Sequence, residues 1–130
     1  MYLLDTNTLI YFFKGMGKVA DNLLSKSPKD IAIPSITLFE LEVGIAKSSN
    51  PKKRKQQLDS LVSLIMTFPF GLKEAKFAAI IRANLEKEGK PIGPYDTLIA
   101  GTALSGNHIL VTHNTKEFSR IKKLKTEDWY

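Results

Sequence analysis

The sequence predicts an α/β fold in which a parallel sheet carries helices on both faces. Short apolar runs alternate with longer helical stretches along the chain, and strands separated by helices pair in parallel through right-handed crossovers. At 130 residues, 43% hydrophobic and 25% charged, the chain has the size and composition of one folded domain with its own core. No internal repeat, low-complexity tract or Pro/Ser-rich linker divides it, so the expectation is a single domain over residues 1–130. Ligands of such sheets collect at the carboxyl ends of the strands, and functional residues are to be sought there.

Taken in order, Tyr2-Leu3-Leu4, Ile31-Ala32-Ile33, Met66 to Phe68 and Ile109-Leu110-Val111 read as buried strands, each short, apolar and bounded by polar or turn residues. Helices are expected at about Thr6–Lys14, Lys18–Ser25, Ser35–Ser48, Pro51–Ile65, Lys73–Glu88 and Pro94–Ser105. Ser35 follows Pro34 and precedes an apolar run, the place of an N-cap. Pro51 and Pro94 suit first-turn positions, where a missing N–H costs nothing. Gly89 and Gly106 stand just past two helices, where a left-handed residue commonly ends the last turn.

Nineteen Lys and Arg against thirteen Asp and Glu leave a formal charge of +6. That balance favours an anionic partner, nucleic acid or a membrane face, without choosing between them. Cysteine is absent, which excludes a disulfide scaffold, a thiolate nucleophile and Cys-ligated zinc. The uncharged stretch from Thr97 to Val111 is too short to span a bilayer and carries Thr102, Ser105, Asn107 and His108. No basic region precedes an apolar segment at the N-terminus, where Asp5 intervenes at once. The expectation is a soluble cytoplasmic protein with no membrane partner.

Leu3-Leu4-Asp5-Thr6-Asn7 puts a carboxylate at the end of a buried strand, immediately before a helix. Asp5 is there either an N-cap, sharing the task with Thr6 or Asn7, or a metal-binding or nucleophilic carboxylate aimed into the crevice. Asp96, in Gly93-Pro94-Tyr95-Asp96-Thr97, falls in the first turn of a helix, where a negative charge also complements the helix dipole by about 0.3–1 kcal/mol. Asn114 follows the last apolar strand and could cap a short helix, with Glu117 three residues on completing a capping box.

Glu40 lies within an amphipathic helix, on a strip with Ile36, Val43, Gly44 and Lys47. Glu42 projects from nearly the opposite side, so only one of the two can face the crevice. The plainer alternatives for Glu40 are a surface glutamate or a Thr37–Glu40 capping box in a helix that starts late. Gly44 costs about 1 kcal/mol in a helix interior, which calls for a packing or access reason. Together Asp5, Glu40, Asp96 and Asn114 form an oxygen-rich set that an α/β sheet could gather at one edge. Clustered carboxylates repel unless a cation or proton is shared, and hard divalent cations take such ligands. Basic surface around an acidic metal site is what phosphodiester hydrolysis requires: the cation neutralises the scissile phosphate while Lys and Arg hold its neighbours.

Four stretches in order carry a family resemblance: Leu3-Leu4-Asp5-Thr6-Asn7-Thr8-Leu9-Ile10, Ile36-Thr37-Leu38-Phe39-Glu40-Leu41-Glu42-Val43-Gly44, Lys90-Pro91-Ile92-Gly93-Pro94-Tyr95-Asp96-Thr97-Leu98-Ile99-Ala100 and Leu110-Val111-Thr112-His113-Asn114-Thr115-Lys116-Glu117-Phe118. With the ending Thr126-Glu127-Asp128-Trp129, they run the length of the chain. The sequence resembles the PIN-domain nucleases, and within them the VapC-type toxins of toxin–antitoxin pairs. The resemblance implies a three-layer α/β/α sandwich with a mostly parallel sheet. It further implies Mg2+- or Mn2+-dependent endoribonuclease activity on RNA, a homodimer, and neutralisation by a cognate antitoxin protein. Asp5, Glu40 and Asp96 match the family's acidic, metal-binding positions. Asn114 matches a fourth position that is often acidic, and its neutral oxygen weakens the case for a tightly held second metal. Thr6 and Asn7 match supporting positions that orient the first acid.

Other readings fit less well. A phosphatase with Asp5 as nucleophile wants an acid two residues on, where Asn7 has no titratable proton. A Ser-His-Asp hydrolase lacks its Gly-x-Ser-x-Gly elbow, and His113 reads as a surface or packing residue. A non-catalytic basic module for nucleic acid or protein draws on Lys52-Lys53-Arg54-Lys55 and Lys122-Lys123-Lys125, although such runs are more often solvated faces. The RNA itself is not legible, since specificity would rest on loop shape and groove charge.

Overall fold

A computed structural model describes residues 1–130. The chain runs β1 (Tyr2–Leu4), α1 (Thr6–Lys14), α2 (Val19–Leu24), β2 (Ile31–Pro34), α3 (Ser35–Ala46), α4 (Pro51–Val62), β3 (Met66–Phe68), α5 (Leu72–Lys87), α6 (Pro94–Ser105), β4 (Ile109–Val111), α7 (Thr115–Phe118) and β5 (Lys125–Glu127). The five strands form one sheet in the order β3-β2-β1-β4-β5, with every neighbouring pair parallel. β1 is central: Tyr2 aligns with Ile31 on one side and with Ile109 on the other. The chain fills the sheet outward from β1 in one direction and then in the other, so a crevice opens at the carboxyl ends of β1 and β4.

Continuous apolar runs in β1, β2 and β4 follow from burial on both faces. Leu3, Ala32 and Leu110 pack beneath Ile81 and Leu85 of α5 and Ile99, Ala100 and Ala103 of α6. Leu4, Ile33 and Val111 face the other way, onto Leu9 of α1, Leu23 of α2, Leu41 of α3 and Leu58 of α4. The result is the three-layer α/β/α sandwich. α5 and α6 pack so closely that a Cβ at Gly101 would lie 2.7 Å from that of Ala78. No helix is long and apolar enough to cross a membrane.

The structure departs from the sequence expectations at four places. β3, expected as a buried strand, is an edge of the sheet: it pairs only with β2, and Met66 is 52% exposed. β5 was not expected, because Lys125-Thr126-Glu127 carries no apolar residue; it is an edge strand paired only with β4, where solvent on one side tolerates charge. Ser35 is the first helical residue rather than the N-cap. Pro34 holds the capping position in extended conformation because β2 runs into α3 without a loop. Gly106 has φ −100°, and the left-handed residue is Asn107 at φ 52°; a Cβ at 106 would meet the His108 ring, which would have to turn aside. Pro51 and Pro94 stand in the first turns of α4 and α6, and Gly89 has φ +68°, as expected.

Candidate active site

Asp5 caps α1 and stands at the carboxyl end of β1, where the candidate site lies. Its Oδ1 accepts from the Thr8 N–H at 2.9 Å, closing the first turn of α1. Its own N–H donates to Val111 O at 3.1 Å, which ties it to the end of β4. The side chain is only 4% exposed, and burial pushes its carboxyl above the ordinary carboxylate range. The Thr112 and Thr8 hydroxyls and the Thr8 N–H act in the opposite direction, and the charge of Asp128 adds to the rise.

α3 is set against β1 by Thr37, fully buried, whose Oγ1 donates to Leu4 O at 3.3 Å. That anchoring turns Glu40 toward the start of α1, where the Thr6 Oγ1 donates to its Oε1 at 2.6 Å. The helix begins at Ser35, too early for a Thr37–Glu40 capping box. Glu42 points away and takes Lys55 Nζ at 2.9 Å. A Cβ at Gly44 would meet nothing within 4 Å, so packing does not explain it. Gly44 instead helps to line, beside Glu40, a cleft of about 310 Å³ between α1, α3 and α4 whose walls include Ile10, Phe13, Arg54 and Leu58.

Asp96 comes in on the first turn of α6. Its pKa is pushed up to about 6, first by burial and then by the charges of Asp5, Glu40 and Glu117. The last of these, Glu117, is an acid that the sequence offered only as half of a capping box. Glu117 sits on α7, and the Asn114 Nδ2 donates to its Oε2 at 2.9 Å. Asn114 caps nothing with its side chain; its backbone N–H donates to Thr112 Oγ1 at 3.0 Å. The capping-box alternative is therefore absent, and the Asn114–Glu117 spacing instead brings a fourth carboxylate with an amide to hold it. The only sequence signal was that spacing at the end of an apolar strand.

None of Asp5, Glu40, Asp96 or Glu117 takes part in an ion pair. No three acidic or histidine side chains stand close enough to ligate one ion together, Glu40 being turned to Thr6. At the rim, His113 Nδ1 lies 3.0 Å from Asp128 Oδ2, and its ring stacks on Tyr130 at 4.2 Å, a packing role as expected. Phe39 and Tyr95, each next in sequence to a site acid, are 50% and 45% exposed with ring centroids 5.7 Å apart.

Four separate segments thus bring carboxylates toward one edge of the sheet, and the chain has clear relatives among known proteins. The PIN domain family model matches residues 2–124. The chain is 37% identical over 128 residues to the tRNA(fMet)-specific endonuclease VapC of Shigella flexneri, covering 98% of this chain and 97% of that protein. Among solved structures, it superposes on VapBC2 from Rickettsia felis bound to a promoter DNA fragment with TM-score 0.90 and 38% identity, covering 99% and 98% of the two chains. For DNA-bound VapBC from Salmonella typhimurium the values are 0.92, 35%, 99% and 98%.

Proposed function

The chain belongs to the PIN-domain family, and from that premise we propose that it is a VapC-type toxin, an endoribonuclease hydrolysing RNA phosphodiester bonds with Mg2+ or Mn2+. Asp5, Glu40 and Asp96 are its principal acids, with Glu117 and Asn114 completing the site. The observation that carries the reading is that four carboxylates from separate segments converge electrostatically at the sheet edge without a basic partner. Every donor is oxygen, which fits a hard cation rather than zinc or copper.

Asp5 and Asp96 would hold the ion, and Glu40 would join by leaving the Thr6 hydroxyl. When bound, the ion neutralises charge on the scissile phosphate and acidifies a water. The chain's own residues set the geometry. Thr8 and Thr112 fix the Asp5 carboxylate, Asn114 holds Glu117 by its amide, and Thr6 keeps Glu40 from swinging to solvent. Asp96, with its pKa near 6 in the free protein, ionises fully once positive charge enters.

RNA is the substrate, and tRNA(fMet), on which the Shigella flexneri relative is named as acting, is the first to test. A cognate antitoxin protein is the cytoplasmic partner, as the VapBC neighbours suggest. The cleft beside Glu40 gives an antitoxin segment a route to the acids, and an Arg suits the plug because guanidinium engages carboxylates bidentately. A homodimer would place two such sites along a longer basic surface. The experiment is sequencing of RNA 5′ ends after induction in cells, with Asp5→Asn as control, and cleavage of the mapped RNA in Mg2+ and in EDTA. Discrete Asp5-dependent, metal-dependent ends are expected. RNA binding that persists in EDTA with no cleavage in Mg2+ would instead identify a non-catalytic nucleic-acid-binding module.

A further inference from the structure

We propose that the cleft between α5 and the segment joining α7 to β5 is a second RNA contact, holding the phosphodiester backbone of the strand whose scissile bond lies at the acids. The inference rests on the ribonuclease reading above. The cleft has a volume of about 640 Å³, and Lys87, Arg120, Lys122 and Lys123 line it around a floor that includes Leu85 and Ile121. Glu88 is the one acidic side chain in its walls. None of the four cations takes part in an ion pair. Like charges gathered without partners at a concave surface repel, and a polyanion relieves that repulsion with release of its counterions.

The backbone adds an independent observation. Lys123 has φ 68°, a left-handed conformation that favours glycine and is uncommon for a long side chain. Nothing in its packing requires a lysine, since the residue is exposed. A cation kept in a conformation that suits glycine better points to use of its charge.

The cleft also leads toward the chemistry. Leu85 is shared with a smaller hollow of about 230 Å³ lined by Pro91, Pro94, Thr97 and the ion pair Arg82–Glu86, which leaves it without net charge. Pro94 and Thr97 flank Asp96 on the first turn of α6. Arg120 bridges the two spaces, its Nη1 donating to Pro91 O at 3.3 Å. An RNA strand leaving the acids past Pro94 would run along this furrow into the basic cleft. That continuity favours the substrate over an acidic protein segment as occupant.

The test compares wild type with the triple variant Arg120→Gln/Lys122→Gln/Lys123→Gly. A control, Lys29→Gln/Lys52→Gln/Lys73→Gln, removes the same charge at exposed lysines that do not line the cleft. Binding of a labelled single-stranded oligoribonucleotide long enough to span both sites is measured in EDTA across a salt series, and cleavage of the same RNA in Mg2+. The cleft variant should bind roughly ten-fold more weakly at low salt, with the slope of log K against log salt reduced by about two, near 0.7 per lost phosphate contact. Its thermal midpoint should be no lower than that of wild type, because glycine suits position 123. Unchanged affinity and slope in the cleft variant, or an equal loss in the control, would overturn the proposal while wild-type cleavage leaves the ribonuclease reading standing. Weakened antitoxin binding with RNA binding intact would reassign the cleft to a protein contact. Wild-type protein that neither binds nor cleaves RNA would overturn both readings.

Discussion

Two glutamates on α3, separated by one residue, meet opposite fates. Glu42 joins an exposed network in which Lys55 Nζ lies 2.9 Å from Glu42 and 3.0 Å from Asp59. Hydrogen bonds donated to Glu42 and then Asp59 hold the Lys55 ammonium above its ordinary range. Glu40 faces the crevice, where its charge acts on Asp96 together with those of Asp5 and Glu117, and its only side-chain partner is a threonine hydroxyl. The solvated face thus supplies its own counter-charge, whereas the crevice is left short of it in a medium where repulsion is screened less. A fold that carries charge it does not neutralise is built for a partner that brings the opposite sign.

The largest test of this contrast is Asp5→Asn. The amide keeps an oxygen for the Thr8 N–H, so α1 stays capped, and cleavage should fall on the order of 10³-fold or more. Without metal, the variant should melt at or above the wild-type temperature, because a buried charge has been removed. Scanning fluorimetry in EDTA beside a cleavage assay checks both halves. A marked loss of stability would mean that the Asp5 carboxylate is satisfied by the fold, and the contrast would break on that side.

Asp96 gives the contrast a pH signature. Its folded pKa of about 6 lies above the ordinary 3.8, so between those values the folded state binds more protons than the unfolded. Stability therefore falls as pH rises through this window and stays lower above it. Asp96→Asn should remove that decline, melting above wild type near pH 7 and converging with it below about pH 4. Mg2+ should raise the wild-type midpoint more at pH 7 than at pH 5, since competition with protons weakens at higher pH. A parallel pair of pH profiles would show that Asp96 does not feel the other acids.

The fold was legible where burial dictates composition and illegible where it does not. β1, β2 and β4 announce themselves because both faces are covered. β5 is hidden because an edge strand of Lys, Thr and Glu pairs through backbone alone. In the candidate site, Asp5, Glu40 and Asp96 could be picked out by their positions at a strand end, on an apolar strip and in the first turn of a helix. Glu117 could not, because i, i+3 spacing after Asn114 reads equally as a cap, and only the turn of α7 decides which group the amide meets. This makes Glu117→Gln the next test. It should slow cleavage by roughly ten-fold, the scale of a supporting ligand position, and more than Asn114→Ala, which removes only the amide that holds Glu117. Manganese titration calorimetry adds a second readout: Asn114→Asp, which sets a carboxylate beside Glu117, should tighten metal binding in RNA-free protein. If Asn114→Ala is fully active and Asn114→Asp leaves metal affinity unchanged, the amide contact is structural and the site ends at four acids.

The smallest effect expected is at Glu42, and it is the control on which the comparison turns. Glu42 and Lys55 are both substantially solvated, with side chains 38% and 48% exposed, and ion pairs in that setting contribute little because water and salt screen them. Lys55 also retains Asp59 one turn along α4 at 3.0 Å, so Glu42→Gln leaves no cation stranded. Cleavage should stay within about two-fold of wild type and the melting temperature within a degree or two, as for surface substitutions generally. Glu40→Gln, two residues away, leaves an amide oxygen for the Thr6 hydroxyl but removes the charge, and should abolish cleavage with little change in melting. The pair reads out the rotation of α3 directly, since 100° per residue sets the two side chains about 200° apart. An inactive Glu42 variant beside an active Glu40 variant would place the wrong face of the helix at the crevice. Thr37, which fastens that helix to Leu4 O, would then be the contact to re-examine first.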